Sequence, residues 1–523
     1  MNLKKVGMRL FLGTILLEVA LWGQGAGGVQ FRDWPAPGVS AKPTIECGEL
    51  RSLTGFDLSI MSASMVQGVP DTPEHCRVSV LVQPEINVEV NLPSTWNKRL
   101  YMFGNGGWAG ESFEAPNRAA TRSRGLKYGF MTAATDTGHS AVSDRGAAFA
   151  LNRQKLVDFG FRSLHVTAEV AKRLARSYYG ERPLKSYFDG CSQGGRQGLI
   201  LAQRFPSDFD GILVGAPALY NTGLLLARAW WSRILANEPV PFSKLKMLAD
   251  RIYGQCDSKD GLKDGLIDDP RRCGFLPGSD LPRCAGGTDK SDCFMPAEIA
   301  TLERIYGDVL SRGKRFFPGW PVGSEIAGHD GKSGWTGQVV SSPAGPAAWA
   351  TFTEDFLRFL VFPEKSSEYS LSRFDIDQDP QRTLAIGQIL DATDTGLSAF
   401  ERRGGKIVMY FGWADPRVNP LMGVEYYEKV VERMGRSTGD FFRLFMVPGM
   451  FHCGGGVGTG VFDAATPLLN WVESGNAPDR ITASRVADSK VVRTRPLCAY
   501  PLVARYKGSG SIDDAANFTC VKP

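Results

Sequence analysis

The apolar positions of this chain switch between two periods. Residues 77–84 and 86–93 alternate apolar and polar side chains around a short break, which predicts two neighbouring strands. Short apolar runs at 99–103 and 130–134 predict two more. From Val157 the spacing changes: Phe161, Leu164, Ala168, Ala171, Ala175 and Tyr178 follow at intervals of four and three, one face of a long helix. Residues 185–189 read as a strand, the stretch to 204 as a helix, and 211–214 as another apolar strand. Strands alternating with helices imply a mostly parallel sheet covered on both faces.

The rhythm breaks after Pro217. Residues 218–395 are rich in Gly, Pro, Trp and Asp, carry four cysteines and show little alternation of strand and helix. It resumes with a strand at 407–411, a helix at 424–434 and a strand at 441–447. An α/β core is therefore expected in two parts, 27–217 and 396–523, split by a large inserted domain at 218–395. The end of the chain, from about 480, should be tied back to the core through Cys498 and Cys520.

A length of 523 residues exceeds one small core. With 43% hydrophobic and 22% charged residues, no low-complexity tract and no short repeat, disordered and solenoid classes are excluded. A net charge of +5 without a basic stripe gives no reason to expect a nucleic-acid partner. Lys4, Lys5 and Arg9 precede an apolar run at 10–17, and Gly23, Gly25 and Ala26 follow. That is the form of a secretory signal peptide, taken as residues 1–26, with an uncleaved anchor as the alternative. Glu18 makes the run too short to span a bilayer. The mature protein is expected to be secreted or periplasmic, with no membrane attachment.

The ten cysteines all lie beyond this leader, and no C-x-x-C occurs among them. Nearest-neighbour pairing gives Cys47–Cys76, Cys256–Cys273, Cys284–Cys293 and Cys498–Cys520, and leaves Cys191 and Cys453. A disulfide holds its Cα atoms about 4.4–6.8 Å apart, and chain neighbours are about 3.8 Å apart. A Cys191–Cys453 bond would therefore set Ser192 beside His452.

Ser192 lies in Gly190-Cys191-Ser192-Gln193-Gly194-Gly195, between a predicted strand and a predicted helix. That is the context of a nucleophile elbow, so the core is expected to be an α/β-hydrolase core with the insertion as its lid. A serine needs a base. Among five histidines, His75, His139, His165 and His329 suit surface or satisfied core positions. His452 follows the last core strand in a glycine-rich loop, where the base of such a fold belongs. Asp415, after the strand at 407–411, is the expected acid, with Asp391 and Asp394 as alternatives. Oxyanion donors are expected from the Gln193 N–H and from Gly106 or Gly107 in the loop 104–107. In the insertion, Asp257, Asp260 and Asp264 recur among glycines, a pattern suited to a hard cation such as calcium but without the spacing of an EF-hand. The alternative is a solvated acidic loop.

These residues resemble the tannase and feruloyl esterase family, which takes in mono(2-hydroxyethyl) terephthalate hydrolases. The shared marks are Gly-Cys-Ser-x-Gly-Gly, Asp415 after a Gly-Trp strand end, His452-Cys453, the Asp-rich loop opening at Cys256, Arg495-Pro496-Leu497-Cys498 and Ser511-Ile512-Asp513-Asp514-Ala515. The resemblance implies a serine esterase acting on small aromatic esters such as those of ferulate or gallate, free or attached to a plant polymer. It implies one structural calcium, held by Asp257, Asp260 and Asp264 side chains and the Leu262 and Leu266 carbonyls. It also places substrate contacts in the lid, where Trp320, Trp335, Trp349, Phe352, Phe356 and Arg358 are candidates. A serine peptidase or amidase on the same fold, and a calcium-dependent surface binding protein, are the rival expectations.

Overall fold

The computed structural model describes residues 38–328 and 334–523, so the expected leader and His329 lie outside the described residues. Nine strands make the main sheet: β1 (Leu58–Val66), β2 (His75–Val82), β3 (Ile86–Pro93), β4 (Arg99–Phe103), β5 (Met131–Thr135), β6 (Lys185–Cys191), β7 (Gly211–Gly215), β8 (Lys406–Gly412) and β9 (Phe442–Val447). Their order is β1-β2-β3-β5-β4-β6-β7-β8-β9. The first three and the β3–β5 pair are antiparallel. Every pair from β5 to β9 is parallel. β4, β5 and β7 are buried at every residue, as parallel strands covered on both faces must be, and so they read as continuous apolar runs. The fold is of the α/β-hydrolase class.

The helices that set the site are α1 (Ser163–Tyr179), α2 (Gln193–Arg204), α3 (Asn221–Asn237), α4 (Ala348–Phe356), α5 (Pro420–Met434) and α6 (Ala465–Ser474). α2 packs on β6 and β7, α6 on β7 and β8, and α3 against α4. The long helix read from Val157 onward is interrupted: Asp158–Arg162 forms a π turn before α1 begins. Gly160 sits in that turn, where an added Cβ would lie 2.5 Å from the Ile389 side chain. The change of pitch falls where the backbone is pressed close against Ile389.

β7 and β8 are adjacent, yet residues 216–405 intervene. This segment carries more helix than its composition implied. In α3, Leu224, Leu225, Leu226, Ala227, Arg228 and Ala229 are buried in succession, so no polar face marks the helical period. Fully burying such a leucine is worth about 1.5–3 kcal/mol, enough for packing to set the helix without an amphipathic pattern. Beyond β9, a three-stranded antiparallel sheet ends at Cys498 and a hairpin joins Val503–Tyr506 to Phe518–Val521. Disulfides join Cys47–Cys76, Cys191–Cys453, Cys256–Cys273, Cys284–Cys293 and Cys498–Cys520.

Candidate active site

Ser192 is the single residue between β6 and α2. Its φ of 64° and ψ of −121° lie where a side-chain-bearing residue costs about 1–3 kcal/mol. The surroundings hold it there. Its N–H donates to the Gly215 carbonyl at 2.9 Å, and its carbonyl accepts from the N–H of Arg196 at 3.1 Å and of Ala218 at 3.2 Å. Glycine is required on either side by close approach. A Cβ at Gly190 would stand 2.5 Å from the Gly194 carbonyl, and one at Gly195 would stand 2.3 Å from the Gly215 oxygen.

His452 follows β9, and its Nδ1 lies 2.7 Å from Asp415 Oδ2. Asp415 emerges after β8 and is fully buried. Its other oxygen accepts from the N–H of Arg417 at 2.7 Å and of Val418 at 2.9 Å. Two backbone donors and one imidazole therefore satisfy a carboxylate shielded from solvent, which holds the ring in one orientation. Asp391 instead accepts from the N–H and hydroxyl of Thr222, and Asp394 pairs with Arg433 at the surface. His75, His139 and His165 are turned to Pro73, Trp108 and Asp208.

Ser192 and His452 line one cavity, together with Gln193, Gly107, Trp108 and Phe352. Gln193 opens α2, so its N–H belongs to the unpaired first turn of a helix. Gly107 takes φ of 51°. Gly106 does not line the cavity: its N–H is directed at the Glu111 carboxylate, whose pKa burial raises and Arg118 lowers. Of the two glycines, Gly107 is the one that lines the cavity with Ser192.

The aromatic candidates of the insertion divide. Trp349 and Phe352 line the cavity, and the Phe352 ring stacks on Trp108 with centroids 5.2 Å apart. Trp320 is buried behind the site, donating from Nε1 to the Asp415 carbonyl at 3.1 Å. Trp335 donates to Ser324, Phe356 is buried in the core, and Arg358 donates to the Ser366 carbonyl. Trp108, Asn221, Arg228 and Arg417 also line the cavity and were not singled out in the sequence. For Arg228 a signal was present, a single cation inside an unbroken apolar stretch.

In the Asp-rich loop, Asp257 Oδ1 accepts from the N–H of Asp264 and of Gly265, both at 3.0 Å. Asp260 accepts from the N–H of Leu262 at 2.9 Å. Asp264 is paired with Arg495 from the C-terminal sheet. Among the described residues no three acidic, histidine or cysteine side chains converge as metal ligands. The donor set nevertheless suits a hard cation. The carbonyls of Leu262 and Leu266 accept no backbone hydrogen bond among the described residues. Burial, with Asp260 and Asp264 nearby, pushes the Asp268 carboxyl up to about 7, the mark of negative charge that Arg495 only partly offsets.

Fold and site define the class, a carboxylic ester hydrolase of α/β-hydrolase architecture. The family described as tannase and feruloyl esterase matches residues 71–521, and the chain belongs to it. It is 35% identical to mono(2-hydroxyethyl) terephthalate hydrolase of Piscinibacter sakaiensis, over 86% of this chain and 85% of that one. It is 32% identical to a probable feruloyl esterase of Arthroderma benhamiae, over 84% and 82%. The crystal structure of feruloyl esterase B from Aspergillus oryzae superposes with a TM-score of 0.78 at 29% identity, covering 91% of this chain and 99% of that one.

Proposed function

We propose that this enzyme is a secreted or periplasmic serine esterase that cleaves esters of aromatic acids. The observation that carries the reading is one cavity bearing both Ser192 and His452, with Asp415 hydrogen-bonded behind the imidazole and Trp108, Trp349 and Phe352 as walls. Ser192 Oγ attacks the ester carbonyl while His452 Nε2 takes its proton. Asp415, bound to Nδ1, fixes the tautomer that leaves Nε2 free and stabilises the imidazolium. The N–H groups of Gln193 and Gly107 receive the oxyanion, and such donors are worth about 3–4 kcal/mol each in the transition state. His452 returns the proton to the leaving alcohol, and water then attacks the acyl-enzyme by the same route.

Flat aromatic walls favour a planar acyl group, and the relatives are named for esters of terephthalate and ferulate. The substrate is accordingly a small aromatic ester, free or carried on a plant polymer. Five disulfides suit an oxidising compartment, and no described helix is long and apolar enough to cross a membrane. A calcium ion in the loop would be held by the carboxylates of Asp257, Asp260 and Asp264 and the carbonyls of Leu262 and Leu266. Its chemistry there is structural charge neutralisation.

Ser192→Ala tests the assignment. Hydrolysis of methyl ferulate, methyl gallate and mono(2-hydroxyethyl) terephthalate should fall by at least about 10⁴-fold with folding intact, and an amide analogue should be a poor substrate of the parent enzyme. Near-normal turnover in a folded variant removes Ser192 as nucleophile.

A further inference from the structure

The cavity that carries Ser192 also carries a guanidinium with no acceptor among the described residues. Arg228 sits on α3, flanked by buried Leu225, Ala227 and Ala229, and is 8% exposed. It lines the cavity with Ser192 and His452. Its Nε is buried without a hydrogen-bond partner, and no ion pair engages it among the described residues. The guanidinium lies over a ring, 5.8 Å from the Trp349 centroid.

The nearby carboxylate, Asp415, does not serve it, because both Asp415 oxygens are taken by His452, Arg417 and Val418. Arg417 adds a second positive charge to the lining, with its Nε donating to Gln338 at 2.8 Å. Among the described residues no acidic side chain lines the cavity. Burial pushes the Arg228 pKa down to about 9, Asp415 raising it and Arg417 lowering it, so the group stays charged at neutral pH. A buried, uncompensated charge is strongly destabilising. A core position facing only apolar neighbours would be filled better by leucine or methionine. An arginine there presents a planar fork matched to a carboxylate, and such paired bonds gain strength where water is excluded.

Resting on the esterase reading above, we infer that Arg228 is the anion-binding residue of this cavity and that the substrate is an aromatic ester bearing a carboxylate besides its scissile bond. The carboxylate docks on the open edge of Arg228, within the field of Arg417. The aromatic ring lies among Trp108, Trp349 and Phe352, and the ester carbonyl reaches Ser192. Arg228 thus reads the substrate's charge and takes no part in proton transfer.

The test compares kcat/KM on two isosteric pairs. Methyl 4-carboxybenzoate against methyl 4-carbamoylbenzoate places the charge on the acid side. O-Benzoylglycolate against O-benzoylglycolamide places it on the alcohol side. The intact enzyme should prefer the anion of one pair by about 100-fold or more, because a site built for a polar group rejects the analogue that leaves it unpaired. R228Q should bring that ratio to within a few-fold of one. No preference in either pair overturns the proposal, and so does a folded R228Q that lowers both members of the preferred pair by one common factor. If R228Q does not fold, R228K decides by the same ratio. Lysine keeps the charge but not the fork, so about tenfold of the preference should go, and an unchanged ratio overturns the assignment. Whether any of the four esters is cleaved, and whether Ser192→Ala abolishes that cleavage, reports on the esterase reading separately from the ratio.

Discussion

Cys191 and Cys453 are 262 residues apart in sequence and are joined by a disulfide that holds their Cα atoms 6.0 Å apart. The residues they adjoin, Ser192 and His452, line one cavity. Both sides of the bond have constrained backbones, with φ of 64° at Ser192 and 62° at Cys453. The bond therefore ties the end of β6 to the loop after β9 across β7 and β8, the two strands that lie between them in the sheet.

Closing a loop of that length should stabilise the fold by roughly 5 kcal/mol in the chain-entropy model. Its catalytic contribution is separable. A misplacement of about 1 Å between nucleophile and base can cost on the order of 100-fold in rate. Cys191→Ala/Cys453→Ala should lose most of kcat at temperatures where circular dichroism still reports a folded protein. Cys498→Ala/Cys520→Ala, remote from the cavity, should lower the melting temperature with a smaller effect on kcat. A folded first variant with normal kcat would show that β6 and the loop after β9 hold the pair without the bond.

Asp415→Asn should leave the fold in place and lower kcat by about 10⁴-fold. The amide retains one acceptor oxygen for the N–H groups of Arg417 and Val418 but offers an N–H toward His452 Nδ1. That selects the tautomer whose proton sits on Nε2, facing Ser192, where it cannot accept one. The rate should not recover as pH rises, since no titration restores the acceptor. Activity within tenfold of the parent would point to another acid for His452.

Much of this site was legible because its chemistry requires particular residues at particular chain positions. The turn at Ser192 needs Gly190 and Gly195, and the histidine is expected after the last core strand, so motif and order together singled out Ser192, Asp415 and His452, which the fold brings to one place. Parallel strands were legible as apolar runs for the same reason that they are buried. β1 was missed although Leu58, Ile60 and Ala63 are buried: a slip of register between Ile60 and Ser62 breaks its alternation. The walls of the cavity were not legible. Arg228, Trp108 and Arg417 come from α3, the loop after β4 and the turn after β8, and tertiary packing alone brings them together. For the same reason Trp320 and Trp335, equal candidates to Trp349 by composition, prove to be buried away from the cavity lining, Trp320 against the Asp415 carbonyl and Trp335 against Ser324.

Metal removal should act on stability. An ion bound only by the folded loop stabilises it by RT ln(1 + [L]/Kd), about 2.7 kcal/mol at a hundredfold excess over Kd. Chelation should therefore lower the melting temperature by a few degrees and added calcium should restore it. Asp260→Asn should weaken the response, while kcat in the folded fraction stays near the parent value because the loop contributes no reacting group. An unchanged melting temperature after exhaustive removal, verified by elemental analysis, would leave the segment as an acidic loop held by Arg493, Arg495 and Arg505.

Glu325 gives a pH dependence of defined sign. It is 2% exposed, accepts from the Tyr306 hydroxyl at 2.9 Å and from the Gly323 N–H at 2.7 Å, and burial pushes its pKa up to about 7. In the unfolded chain a glutamate titrates near 4.3. Between those values the folded state holds a proton that the unfolded state has lost, so stability from this group is full at low pH and falls as pH rises through 7. The loss should amount to about 3–4 kcal/mol across that window, since each pH unit between the two values is worth about 1.4 kcal/mol. Glu325→Gln removes it with little change of shape. The amide oxygen can accept from Gly323, and the Tyr306 hydroxyl can rotate to accept from the amide N–H. In urea titrations at pH 5, 6, 7 and 8, the variant should gain on the parent as pH rises from 5 to 7, and the gain should level off between 7 and 8. A constant difference across the four would mean that Glu325 is ionised throughout, its charge carried by the Tyr306 and Gly323 donors.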